Sequence, residues 1–224
     1  MVRLLAPVLL VGCLFSAALG VSISSLLKSR DDNLPARVPY VFPAPGTDPI
    51  ADKIRSRRTN GTLLDLDGAL LNAPLIASGW DALFSAIRDN STLPGDMREL
   101  FILRIAVVNN AAYEWIQHES VGRSEGLTLD QLLAIRFAPP FLKGNEANYT
   151  SILGGPLTAA ILFADWITKS VHVPDEVFDR LAQFLNDQQM VEATATAGGY
   201  NFVSRFVVAL NVDGKMDVPV PVPE

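Results

Sequence analysis

The chain has 224 residues, 49% of them hydrophobic, with 18 basic against 24 acidic side chains and a net charge of −6. That acidity argues against nucleic-acid binding, which needs Lys and Arg to neutralise phosphates. Its single cysteine, Cys13, excludes a disulfide framework, so apolar burial must hold the fold together.

Arg3 precedes an apolar run from Leu4 to Ala18, and Ala18-Leu19-Gly20 supplies a small-x-small cleavage pattern. Residues 1–20 therefore read as a secretory signal peptide. The alternative is an N-terminal membrane anchor, but Pro7 and Gly12 interrupt the run. Cleavage leaves no stable membrane anchor and no thiol. Three Asn-x-Ser/Thr sequons, at Asn60, Asn90 and Asn148, fit a secreted glycoprotein and are expected in loops.

Residues 21–47 read as an extended N-terminal arm, because Pro39, Pro43 and Pro45 block a helix. The helical domain spans 48–212. Asp48 caps a first helix with Pro49 at its first position, running to about Arg57. Leu63 to Leu71 is a short apolar segment. Pro74 opens a helix through Trp80, Leu83, Phe84 and Ile87, spaced three and four apart. Met97 to Val108 is apolar nearly all round, which predicts a buried helix. Asn109-Asn110 marks a bend before a helix over 111–123.

Thr128 to Gln131 starts the next helix, which Pro139-Pro140 ends. Further helices are predicted over 156–171, from Pro174 through Leu185, and over 190–210. Alternating Val and Pro over 218–223 make residues 213–224 a Pro-rich, polyproline-like tail. No hairpin signal occurs. The fold class is all-α, a bundle of about eight helices with extended arms at both ends.

Glu114 and His118 are four residues apart, so a helix puts them on one face. A carboxylate beside an imidazole favours its charged form and suits it to acid–base work near neutral pH. The purely structural alternative is a surface pair worth about 0.2–0.5 kcal/mol. Ala111, Ala112, Trp115 and Ile116 surround the pair and argue for the core. Glu99 offers a second acid, although Asp96-Met97-Arg98-Glu99 also has the spacing of a capping box.

Tyr113 and Trp115 flank the pair and are expected to shape a substrate pocket. Arg205, four residues from Asn201 on a mostly apolar helix, either pairs within the bundle or holds a substrate carboxylate. His172, just before Pro174, reads as a linker residue. A metal centre on Glu99, Glu114 and His118 is the weaker alternative, since only two histidines exist and no HExxH occurs. No Gly-x-Ser-x-Gly, GxGxxG or phosphate loop is present. No cofactor and no metal are expected.

Arg98-Glu99-Leu100, Leu103 to Val107, Tyr113-Glu114-Trp115 and His118 together resemble the carboxymuconolactone decarboxylase-like proteins. Gln189 to Glu192 and Tyr200 to Phe206 are similar to that family's final helix, so the resemblance runs from about Ala36 to Val212. The superfamily includes alkylhydroperoxidase D (AhpD), which has a Glu, a Cys-x-x-Cys and a His on the same spacing. By position these fall on Glu99, on Ala111 and Glu114, and on His118.

The resemblance implies an AhpD-like all-helical fold, a trimer or hexamer, and a pocket around His118 shared by Glu99 and Glu114. The decarboxylase relatives act on a cyclic lactone acid, but their best-known members are cytoplasmic whereas this chain reads as secreted, so that particular substrate is not carried over. Thiol peroxidase activity is disfavoured, because both cysteines are absent and that chemistry needs a thiolate. The expectation is a secreted, cofactor-free lyase or isomerase acting on a small lactone or keto acid by proton transfer. In that scheme Glu114 orients and charges His118, and Glu99 tunes it. The alternative is a non-catalytic helical binding or scaffold protein of the same fold.

Overall fold

The computed structural model describes residues 35–58 and 60–224. The signal peptide, Cys13 and the first part of the arm lie outside the described residues. Nine α-helices occur among the described residues, with no strand. They are α1 (Pro49–Ser56), α2 (Asp65–Leu70), α3 (Pro74–Asp89), α4 (Gly95–Val108), α5 (Ala112–Ser124), α6 (Leu129–Phe137), α7 (Glu146–Ser170), α8 (Asp175–Ala182) and α9 (Asp187–Ala209). The helix beyond the expected eight is α2, whose six residues are too short to show a period in the sequence.

Local chemistry sets several helix starts. Asp48 Oδ1 accepts from the backbone N–H groups of Ile50 and Ala51, both at 2.9 Å, with Pro49 in the first turn of α1. Thr128 and Gln131 form a reciprocal capping box on α6, and Asn186 and Gln189 form another on α9. The box expected at Asp96–Glu99 does not form. Helix α4 starts at Gly95 after Pro94, and Glu99 turns inward instead.

Helix α4 is the axis of the body. Every residue from Met97 to Ala106 is buried, and α5, α7 and α9 pack around it. Its apolar residues on all sides follow from that position. Asn110 takes a left-handed conformation, φ 52°, and ends the helix. The chain then folds back as α5, which brings residue 118 beside residue 99.

Two glycines are required by geometry. A Cβ at Gly68 would lie 2.6 Å from the Phe42 ring, so only glycine lets the extended arm lie across α2. There Val41 N–H donates to Gly68 C=O at 2.9 Å. Gly154 has φ 74° and breaks α7, with Pro156 opening its second, buried part. The sequence predicts only that second part. The first part carries Asn148, so this sequon sits in an exposed helical turn rather than the expected loop. The Pro-rich tail is strapped on by Arg136, which donates to the carbonyls of Val220 and Pro221.

Candidate active site

A cavity of about 350 Å³ opens where α1, α2, α3, α4, α5 and α9 meet. Glu99 and Arg98 from α4 reach it, as do Tyr113, Glu114, Gln117 and His118 from α5. Arg57, Arg58, Asp67, Trp80, Asp81 and Arg88 contribute from the first three helices and the turn after α1.

Three side chains form a chain here, of which Glu99 and His118 line the cavity and Tyr200 lies behind the imidazole. Glu99 Oε2 lies 2.9 Å from His118 Nδ1, and Tyr200 Oη lies 3.3 Å from His118 Nε2. Glu99 is almost wholly buried, and its other oxygen accepts from Arg98 Nε at 3.3 Å. A carboxylate only accepts, so Nδ1 carries the hydrogen in this bond and Nε2 is left as the acceptor. The Tyr200 ring meets the imidazole edge-on, with centroids 5.1 Å apart, which fixes the ring plane. Burial raises the Tyr200 phenol pKa, so Tyr200 stays a neutral hydroxyl that donates to Nε2.

Glu114 does not bond His118. Its Oε2 accepts from Ser204 Oγ at 2.7 Å, and its buried Oε1 has no partner among the described residues. Burial pushes this carboxyl well above the usual carboxylate range, against the smaller opposing effect of Ser204. The neutral acid is the favoured form. Spacing within one helix predicts Glu114 as the partner of the imidazole. The structure gives that place to Glu99, because the α4–α5 reversal brings residue 99 directly beside residue 118. One other buried oxygen, Asp81 Oδ2, lacks a hydrogen bond, but Lys53 Nζ stands 3.4 Å away as its counter-ion.

The remaining expected residues divide. Tyr113 lines the cavity, and its hydroxyl accepts from Leu66 N–H at 3.3 Å. Trp115 does not line it. Its ring is fully buried on another side of α5, and Nε1 donates to Glu119 at 2.9 Å. Arg205 is also away from the cavity. It is exposed and donates to Asn201. His172 is exposed in the bend before α8.

The residues that sequence reasoning passed over are Tyr200 and Ser204. They are four apart on α9, as Asn201 and Arg205 are, but one position earlier. One residue is about 100° of helix rotation, so the earlier pair faces the site and the later pair faces outward. Two polar groups at that spacing on an apolar helix were the available signal. It does not fix the phase.

Residues 74–150 match the model of the carboxymuconolactone decarboxylase family, a stretch that contains Glu99, Glu114 and His118. No curated protein sequence matches the chain. Among solved structures, a cysteine-to-alanine variant of the debrominase Bmp8 in complex with 2,3,4-tribromopyrrole is similar, with a TM-score of 0.58 and 19% identity. That match covers 82% of this chain and 91% of the other. A protein of unknown function from Agrobacterium tumefaciens, described as an antioxidant defence protein AhpD, is 21% identical with a TM-score of 0.49. It covers 64% of this chain and 92% of its own. The central stretch of this chain thus matches the carboxymuconolactone decarboxylase family model, and its all-α body shares the fold of the Bmp8 debrominase structure.

Proposed function

We propose that the cavity is the active site of a cofactor-free lyase or isomerase that moves a proton at the carbon beside a carbonyl group in a small lactone or keto acid. One observation carries this reading. His118 is held by Glu99 at Nδ1, while Glu114 lines the same cavity with a buried carboxyl oxygen that has no partner among the described residues. A held base beside a neutral acid is the pairing that enolisation needs.

In this mechanism the substrate displaces the long Tyr200 hydrogen bond, His118 Nε2 accepts the proton from the α-carbon, and the C–H electron pair passes into the carbonyl as an enolate. Glu114, as the acid, donates a hydrogen bond to the enolate oxygen. His118 then returns the proton to the same or the conjugated carbon. In a decarboxylation the C–C bond breaks instead, its electron pair passes into the carbonyl as carbon dioxide leaves, and His118 delivers to the enolate carbon a proton that it has taken from solvent. Glu99 stabilises the imidazolium in either case. General acid–base help of this kind is worth about 10²–10⁴-fold in rate.

The same reading makes the chain a secreted glycoprotein that acts as a homo-oligomer, a trimer or hexamer. Its support is physical. Asn60, Asn90 and Asn148 are exposed, and large apolar side chains such as Leu75 and Ile76 stand in solvent. The thiol pair of AhpD has no counterpart in this site, since Ala111 and Glu114 occupy those places.

The test is deuterium uptake by NMR in D2O, with a pool of lactone acids, β-keto acids and enol lactones. Wild type is expected to exchange or decarboxylate one class, and His118→Ala to lose about 10²–10⁴-fold of that rate. Equal turnover by the two proteins refutes the mechanism. A bound compound with no turnover supports the non-catalytic binding reading.

A further inference from the structure

We infer that Arg88 is the anion anchor of the cavity and binds the carboxylate of the substrate, which restricts the site to small organic acids. This rests on reading the cavity as a substrate site.

Four arginines line the cavity, and three are neutralised. Arg57 binds Asp81 at 2.5 Å and Asp89 at 2.6 Å. Arg58 grips Asp67 with two nitrogens, at 2.6 and 3.2 Å. Arg98 is shared between Glu99 at 3.3 Å and Glu125 at 2.9 Å. Arg88 has no carboxylate partner among the described residues. Its Nε donates to Phe84 C=O at 3.2 Å, and its guanidinium lies over the Phe84 ring, 5.6 Å from the centroid.

Those two contacts aim the guanidinium without using it. The Nε bond and the ring fix its plane, and the terminal NH1 and NH2 groups keep their donors for a ligand. A half-buried, preoriented arginine fork matches the two oxygens of a carboxylate, and its ordering entropy is already spent in the free protein. Acidic neighbours do not compete, because Asp67, Asp81, Asp89, Glu99 and Glu125 are each engaged by the other three arginines. Arg88 is also close to the reacting end. It lines the same cavity as His118 and Glu114. An acid held on Arg88 therefore lies in one cavity with His118 and Glu114.

Ligand-observed NMR tests this without turnover. The probes are 2-furoate, benzoate and laevulinate, each paired with its carboxamide. Wild type is expected to bind at least one acid about tenfold more tightly than its amide, as a charge-assisted fork should. Arg88→Gln is expected to lose that preference, and Arg88→Lys to recover part of it. His118→Ala should keep it. Equal binding of acids and amides by wild type overturns the inference, as does failure to bind any of the three acids. Unchanged preference in Arg88→Gln also overturns it. The wild-type comparison stands even where a variant fails to fold. Intact acid binding with no proton exchange would sink the acid–base mechanism alone.

Discussion

Helix α4 carries two buried ionic groups five residues apart, about 7.5 Å along its axis, and they are opposite in character. On one side Arg104 and Asp165 are both fully buried. Their Nε–Oδ1 and NH2–Oδ2 contacts are 2.6 and 2.9 Å, Arg104 NH1 donates to the carbonyls of Ile135 and Ala138, and Phe141 N–H donates to Asp165. Both partners are saturated within the protein, and neither lines the cavity. On the other side, Glu99, His118 and Glu114 face a cavity, with one acid oxygen unpartnered. A closed network holds helices together. An open one, kept at the same depth against the cost of an unpaired polar atom, is what a ligand site requires.

The largest expected effect falls on the closed network. Asp165→Asn leaves the Arg104 charge buried and unpaired, and should lower unfolding free energy by about 3–5 kcal/mol in urea titrations. An Arg104→Met, Asp165→Leu double variant should lose less than the single one, because apolar residues of similar volume carry no desolvation cost. A double variant no better than the single would place the pair's value in its geometry rather than its charge balance.

On the open side the losses are smaller and mixed with gains. Ser204→Ala removes the one donor to Glu114 and should cost about 1–3 kcal/mol, read as a shift of the denaturation midpoint. It should also raise the Glu114 pKa further, since Ser204 is what lowers it. Glu114→Gln should change the pH dependence of stability. The folded carboxyl titrates well above its ordinary value of 4.5, so the folded chain retains a proton that the unfolded chain has lost. Its contribution is full below about 4.5 and is lost as pH rises toward the folded value, with a slope of at most about 1.4 kcal/mol per pH unit. The Gln variant should flatten that slope. An unchanged slope would mean that Glu114 is ionised in the folded protein, and with it the acid role fails.

Much of this contrast is legible in the sequence, and the rest is not for definite reasons. Helix α4 announces its burial, because ten successive residues with almost no polar face cannot lie on a surface. The His118 motif is legible from residue type and spacing. The partner of His118 is not. Periodicity relates Glu114 to His118 within one helix, but the Glu99 bond is set by how tightly the chain reverses at Asn110. Trp115 and Arg205 fail as pocket residues for a related reason: neighbours in sequence are about 100° apart around a helix. Tyr113 and Glu114 face the cavity where Trp115 does not, as Tyr200 and Ser204 face the site where Arg205 does not. Arg88 could not be chosen among the arginines before the other three were seen to be occupied.

The smallest effect lies at the cavity rim, where Asp89 is half exposed and bonds Arg57 at 2.6 Å. Solvent screens this pair, and exposed ion pairs contribute about 0–1 kcal/mol, so Asp89→Asn should shift stability by no more than about 0.5 kcal/mol. Asp81 remains on Arg57 at 2.5 Å, so the arginine keeps a buried counter-ion and does not become a second free fork. Binding of benzoate should then be unchanged within about twofold, a change of about 0.4 kcal/mol. A larger gain in acid binding would show that Arg57 is released toward the cavity, and that anion binding is shared between two arginines rather than placed on Arg88.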